Sequence, residues 1–171
     1  MAFFTKPTVA APAAPAPLTR ERLESLMTRR EWYFGIDDDG DLGGVWDENT
    51  FYFLLVGEPN GILQIRGRWS RTLPVAELEP LTALLNEWNV GRIWPKVFAR
   101  PEDDGSAVVV YAEVATDLRS GANDEQLERI VDCGLATGLS FFEMLDERFP
   151  AAEGTQGAAQ EAARPTAGDA R

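Results

Sequence analysis

The chain contains no histidine, and Cys133 is its only cysteine. Without histidine no imidazole is available as a base for a serine or cysteine nucleophile, and a single thiol allows neither an intrachain disulfide nor a Cys/His metal cluster. Cys133 falls in a helical pattern and is expected as a small buried apolar residue. Long apolar runs are missing as well. None approaches the roughly 20 residues needed to span a bilayer. Met1 to Pro17 has one charge, Lys6, and alternating Ala and Pro where a signal peptide requires a continuous apolar stretch. Positive charge is scarce: Lys+Arg number 16 against 28 Asp+Glu in 171 residues, a net charge of −12. The charges of the two ends nearly cancel, so the acidity belongs to the middle of the chain. Such a field repels nucleic-acid phosphates and anionic membrane surfaces and favours a basic partner. These absences lead to the expectation of a cytoplasmic protein that binds neither nucleic acid nor membrane and uses no metal or cofactor.

A 44% hydrophobic content is that of a folded protein, and one domain is sufficient for this length. The Ala/Pro composition of residues 1–17 and the Ala/Gly/Gln/Glu composition of 151–171 predict a disordered arm and tail around a domain of residues 18–150. Thr19 is placed to cap a short helix whose stripe is Leu23, Leu26 and Met27 and which ends near Arg30. Strands are expected at Glu31 to Ile36, Gly44 to Asp47, Phe51 to Val56 and Ile62 to Trp69. The last alternates, with Leu63, Ile65 and Trp69 on one face and Gln64, Arg66 and Arg68 on the other. A helix is predicted from Pro80 to Asn89, closed by a left-handed Asn89 or Gly91. Ile93 to Arg100 and Ala107 to Val114 form a hairpin around Glu102–Gly105, and a long final helix runs from Asn123 to Arg148 with Asn123 and Gln126 as a capping pair. The fold class is α+β, an antiparallel sheet with helices packed on it.

Four features bear on chemistry. Asp37, Asp39, Asp41 and Glu48 have the spacing of calcium ligands in an EF-hand loop, but Leu42 stands where that loop needs glycine and the flanks read as strands, so an acidic hairpin turn is expected and no metal site. Arg66, Arg68, Arg71, Arg92, Lys96 and Arg100 gather positive charge in an acidic chain. If Arg66, Arg68, Lys96 and Glu113 share a sheet face, it could take up a carboxylate or phosphate, or else be a solvated face of cross-strand ion pairs. Most of the five tryptophans belong to the core, and Trp94, beside Pro95, is expected to be the most exposed. Gly134 and Gly138, one turn apart on the final helix, imply close approach of either the chain's own sheet or a symmetric partner chain.

Tyr33-Phe34-Gly35-Ile36-Asp37, Gly40-Asp41-Leu42-Gly43, Asn86-Glu87-Trp88-Asn89, Trp94-Pro95-Lys96, Glu113, and Gln126-Leu127 leading into Asp132-Cys133-Gly134-Leu135 together resemble the YbjN family of small bacterial proteins, labelled sensory transduction regulators, in what looks like its actinobacterial form. The resemblance covers roughly Leu18 to Phe149. It implies a fold similar to type III secretion chaperones, α+β dimers that hold partially unfolded clients, and it carries over no catalytic residue. A non-catalytic binding or regulatory module, possible homodimer included, is therefore expected. It would be chaperone-like, recognising a protein segment or small ligand through Arg66, Arg68, Trp94, Lys96 and Glu113. The rival is a hydrolase using carboxylates such as Asp37, Asp41, Glu113 or Asp117, which can do acid and base work without histidine.

Overall fold

Six antiparallel strands, ordered β1-β2-β3-β4-β6-β5, make one sheet in the computed structural model, which describes residues 15 to 150 apart from Pro59 and Asp103. The expected arm and tail lie outside the described residues, except for Pro15 to Pro17 at the end of the arm. There Ala16 exchanges backbone hydrogen bonds of 3.0 and 3.1 Å with Ala122, and Arg22 donates to the carbonyls of Ala16 and Pro17.

Helix α1, Arg20–Arg29, begins where Thr19 Oγ1 accepts the N–H of Arg22. It closes with Glu31 in the left-handed region at φ 56°, the N–H groups of Glu31 and Trp32 turning back to the carbonyls of Thr28 and Met27. This closure consumes the start of the strand expected from Glu31. Strand β1 is accordingly only Gly35–Ile36. An aspartate-rich turn leads to β2, Leu42–Trp46, and a two-residue turn with Asp47 and Glu48 both at positive φ leads to β3, Asn49–Val56.

Strand β4 runs from Ile62 to Pro74, well past the expected end at Trp69. Alternation breaks at an irregularity between Arg68 and Thr72, after which pairing resumes with Val109 opposite Thr72. Beyond a short 3₁₀ turn, α2 covers Leu78–Gly91, β5 Lys96–Pro101, β6 Ala107–Asp117 and α3 Asp124–Arg148. Asn123 and Gln126 cap α3 reciprocally at 2.8 and 2.9 Å. Since β6 pairs with β4, the α2 connection carries the chain over β6 to the sheet edge, and β6 then returns between them.

One sheet face carries the core. Leu63, Ile65 and Trp69 of β4, Phe51 and Phe53 of β3, and Val97 of β5 are buried there with Leu23, Leu26 and Met27 of α1, Leu81, Leu85 and Trp88 of α2, and Phe141, Phe142 and Leu145 of α3. Side chains on Gly134 and Gly138 would stand 2.7 Å from Ile65 and 2.8 Å from Phe51, so the chain's own sheet fills the glycine groove. Gly67, opposite Phe51 on β4, leaves room for the rings of Phe51 and Phe142. Each such ring contributes about 1.5 to 3 kcal/mol on burial.

The expected left-handed closure of α2 is absent. Asn89 is helical, and its amide works elsewhere: Nδ2 donates to the carbonyl of Val97 and Oδ1 accepts the N–H of Val97, both at 2.9 Å. The side chain thus completes the edge of β5 like a short piece of neighbouring strand, and Pro101 brings no N–H to the same edge. Ile93 and Trp94 stand outside β5 rather than beginning it. Cys133 is half-buried, not part of the core. A carboxylate from the turn before β2 satisfies local backbone: Asp37 Oδ1 accepts the N–H groups of Asp39 and Asp41 at 3.1 and 2.8 Å.

Candidate functional site

The sheet face opposite the helices is covered by no helix among the described residues. Alternation along β4, β5 and β6 sends every second side chain to it, and register assembles those side chains into rows. Arg66, Glu113 and Lys96 lie side by side on β4, β6 and β5, with Tyr52 of β3 next to Arg66. Arg68, Tyr111 and Phe98 form the adjacent row. Arg100 follows, opposite Val109.

Glu113 is the focus of the first row and, at 7% exposure, one of two buried polar residues among the described residues, the other being Asn49. A buried carboxylate needs partners. Arg66 Nε donates to Glu113 Oε2 at 3.0 Å, and Lys96 Nζ lies 3.6 Å from Oε1, so two cations share one carboxylate. Arg66 also donates to Gln64 Oε1 at 3.1 Å, which fixes the plane of its guanidinium. In the second row Phe98 and Tyr111 stack at 5.2 Å with an interplanar angle of 17°. Lys96 and Arg100 both lie against Phe98, 5.3 and 5.4 Å from the ring centre. Arg68 reaches Glu102 at 3.6 Å. The acidic turn that begins at Glu102 borders the face at this end, with Asp104 Oδ1 accepting the N–H of Ser106.

Of the five residues singled out from the sequence, Arg66, Arg68, Lys96 and Glu113 come together on this face. Trp94 does not join their rows. It is 50% exposed in the α2–β5 connection, near Ile93 at 87% and Val90 at 90%. Arg71 and Arg92 are also directed elsewhere, Arg71 to Asp146 at 3.0 Å and Arg92 over Trp88 at 3.9 Å. Arg100, counted among the gathered cations but not assigned to this face, joins it, and Phe98 and Tyr111 were missed by sequence reasoning, although the period-two run Lys96, Phe98, Arg100 carries the signal of Phe98.

The carboxylates considered for hydrolysis do not converge. Asp37 and Asp41 belong to the β1–β2 turn, whereas Asp117 ends β6, three strands from β2 and roughly 14 Å away at ordinary strand spacing. Glu113 lies four residues from Asp117, about 13 Å along the strand. Asp117 is held by Arg119, whose hydrogen bonds bring its pKa down to about 2, so it is a settled anion and not a proton donor near neutrality. Two clefts lie away from the open face, one between α3 and the β2–β3 turn and one between α1 and the β1–β2 turn.

A sequence profile of the YbjN family, described as "Putative bacterial sensory transduction regulator", matches residues 19–147. A comparison with curated proteins found no match. Among solved structures the fold is similar to the crystal structure of YbjN from E. coli, with a TM-score of 0.65 and 14% identity over 79% of this chain and 96% of that one. A chain of the HopA1–SchA chaperone–effector complex aligns with a TM-score of 0.46 and 15% identity over 77% of this chain and 99% of that one.

Proposed function

The chain belongs to the YbjN family, and on that premise we propose that it is a non-catalytic binding module of regulatory character, working in the cytoplasm through the open sheet face. The family description supports a regulatory role. The observation that carries the reading is the pairing of a built polar centre, Glu113 between Arg66 and Lys96, with a half-buried aromatic stack on a face that no helix covers among the described residues. Such a surface combines fixed charge with apolar area, as protein-recognition surfaces do. The separation of Glu113 and Asp117 from the Asp37–Asp41 turn, where Asp37 Oδ1 is taken up by the N–H groups of Asp39 and Asp41, favours binding over hydrolysis.

The test is purification from the native host under mild conditions, comparing the wild type with Lys96→Gln/Arg100→Gln, followed by mass spectrometry of whatever co-purifies. A molecule retained by the wild type and lost from the variant is the expected result. Identical co-purifying material from both proteins would remove the open face from the function.

A further inference from the structure

We propose that the occupant of the open face is an extended, acidic polypeptide segment, an inference that rests on this face being the partner site. Charge complementarity argues for it. The rows from Arg66 to Arg100 present Arg66, Arg68, Lys96 and Arg100 against Glu113 and Glu102, and Asp117 farther along β6 on the same face is paired with Arg119, although the chain as a whole is strongly acidic. Lys96, with a side chain 68% exposed, shares Glu113 with Arg66 and retains N–H donors for an incoming carboxylate. The overall negative charge opposes such a partner at long range, but screening over roughly 8 Å at physiological ionic strength leaves the local cations dominant at contact.

Spacing separates a polypeptide from a small anion. Arg66 and Lys96 are two strand intervals apart, roughly 10 Å, and Lys96 and Arg100 about 13 Å apart along β5. Between Arg66 and Lys96 the place of a small anion is already taken by the Glu113 carboxylate, which meets both cations, so a second anion there would face a like charge, whereas the backbone separation of Lys96 and Arg100 suits a longer acidic segment. An extended segment sets alternate side chains about 7 Å apart. Two of its carboxylates four residues apart, about 13 Å, can therefore meet separate cations while an apolar residue midway between them on the same face covers the Phe98–Tyr111 stack.

Three labelled synthetic peptides, repeats of Glu-Ser-Tyr-Ser and the same sequence with glutamine or lysine in place of glutamate, which set the variable residue and tyrosine on one face of an extended chain, would be titrated against the full chain by fluorescence anisotropy, with amide chemical shifts mapped on the wild type. The glutamate peptide is expected to bind and to move the amides of Arg66, Arg68, Phe98 and Tyr111. Lys96→Gln/Arg100→Gln should weaken it about tenfold, equivalent to roughly 1.4 kcal/mol. Arg129→Gln/Arg148→Gln, with the same change in net charge on α3, should leave it unchanged. The shift mapping does not depend on any variant folding. Equal binding of the glutamine peptide at the same amides would overturn the acidic preference while sparing the open face as a partner site. Displacement of the glutamate peptide by an equal concentration of free glutarate would overturn the polypeptide in favour of a small anion. Absence of binding by the glutamate peptide would overturn the proposal alone, because the co-purification comparison tests the face independently.

Discussion

Asn89 is the residue whose role depends most on its surroundings. It lies within α2, a position where its propensity is mediocre, and spends both polar ends of its amide on the backbone of Val97. Asn89→Val would leave those groups of β5 without partners at a place where Val97 itself is buried. A loss of about 1 to 3 kcal/mol follows from leaving buried polar groups unsatisfied, read as a lower urea midpoint. An unchanged midpoint would show that the pair contributes nothing. Asp117 offers a different residue-scale measurement. Its carboxyl, lowered chiefly by the hydrogen bonds from Arg119, should titrate near 2 by carbon-detected NMR and return toward the ordinary aspartate range in Arg119→Gln. Because the folded pKa lies below the unfolded one, the pair's stabilisation is present above about pH 4 and disappears as pH falls toward 2. The group is fully exposed, so high salt should shrink the shift; a salt-independent value would contradict that exposure.

At the scale of elements, α3 and the sheet are matched through absent side chains. Gly134 and Gly138 cost roughly 0.5 to 1 kcal/mol each relative to alanine in a helix interior, yet they let Ile65 and Phe51 approach the helix backbone. Gly138→Leu would drive a side chain into Phe51, and overpacking of this kind costs about 1 to 3 kcal/mol or more. The variant should therefore unfold at lower denaturant with no dependence on protein concentration. A variant of wild-type stability that sediments at half the wild-type mass would instead place this groove between subunits. A homodimer, if one forms, has other exposed apolar surfaces to use, at Tyr33, Ile36 and Val45 or at Val90, Ile93 and Trp94.

The first described residues are tied to the start of α3 by the Ala16–Ala122 backbone bridge and by one side chain. Arg22, besides its bonds to Ala16 and Pro17, donates to the carbonyl of Ala122 at 2.9 Å and to Asp124 at 2.7 Å, linking the first described residues to the start of α3. The Ala/Pro and Ala/Gly/Gln compositions of the two ends lead us to propose that a protease removes both of them and leaves a core of about residues 15–150. Arg22→Gln should shift the N-terminal cut inward, toward Leu18 or beyond, by freeing the Ala16–Ala122 bridge. Equal resistance of both ends in the wild type would refute the proposed domain limits, and an unmoved cut in the variant would show that Arg22 does not hold this segment.

Local periodicity determined much of this protein. The caps at Thr19 and Asn123, the alternation of Leu63, Ile65 and Trp69 against Gln64, Arg66 and Arg68, and the α+β class are properties of neighbouring residues, which side-chain spacing encodes directly. Motif resemblance added the family, as the match over residues 19–147 bears out. Tertiary structure decided the rest. Helix α1 closes through a left-handed Glu31, beyond which Trp32 packs beside Trp46 at 5.6 Å, and α2 ends without a left-handed residue, its Asn89 amide bound to a strand edge the local sequence does not reveal. The grouping of Arg66, Glu113 and Lys96 required β6 to insert between β4 and β5, a choice of strand order made by long-range pairing and burial, about which residues 47 positions apart carry no local signal.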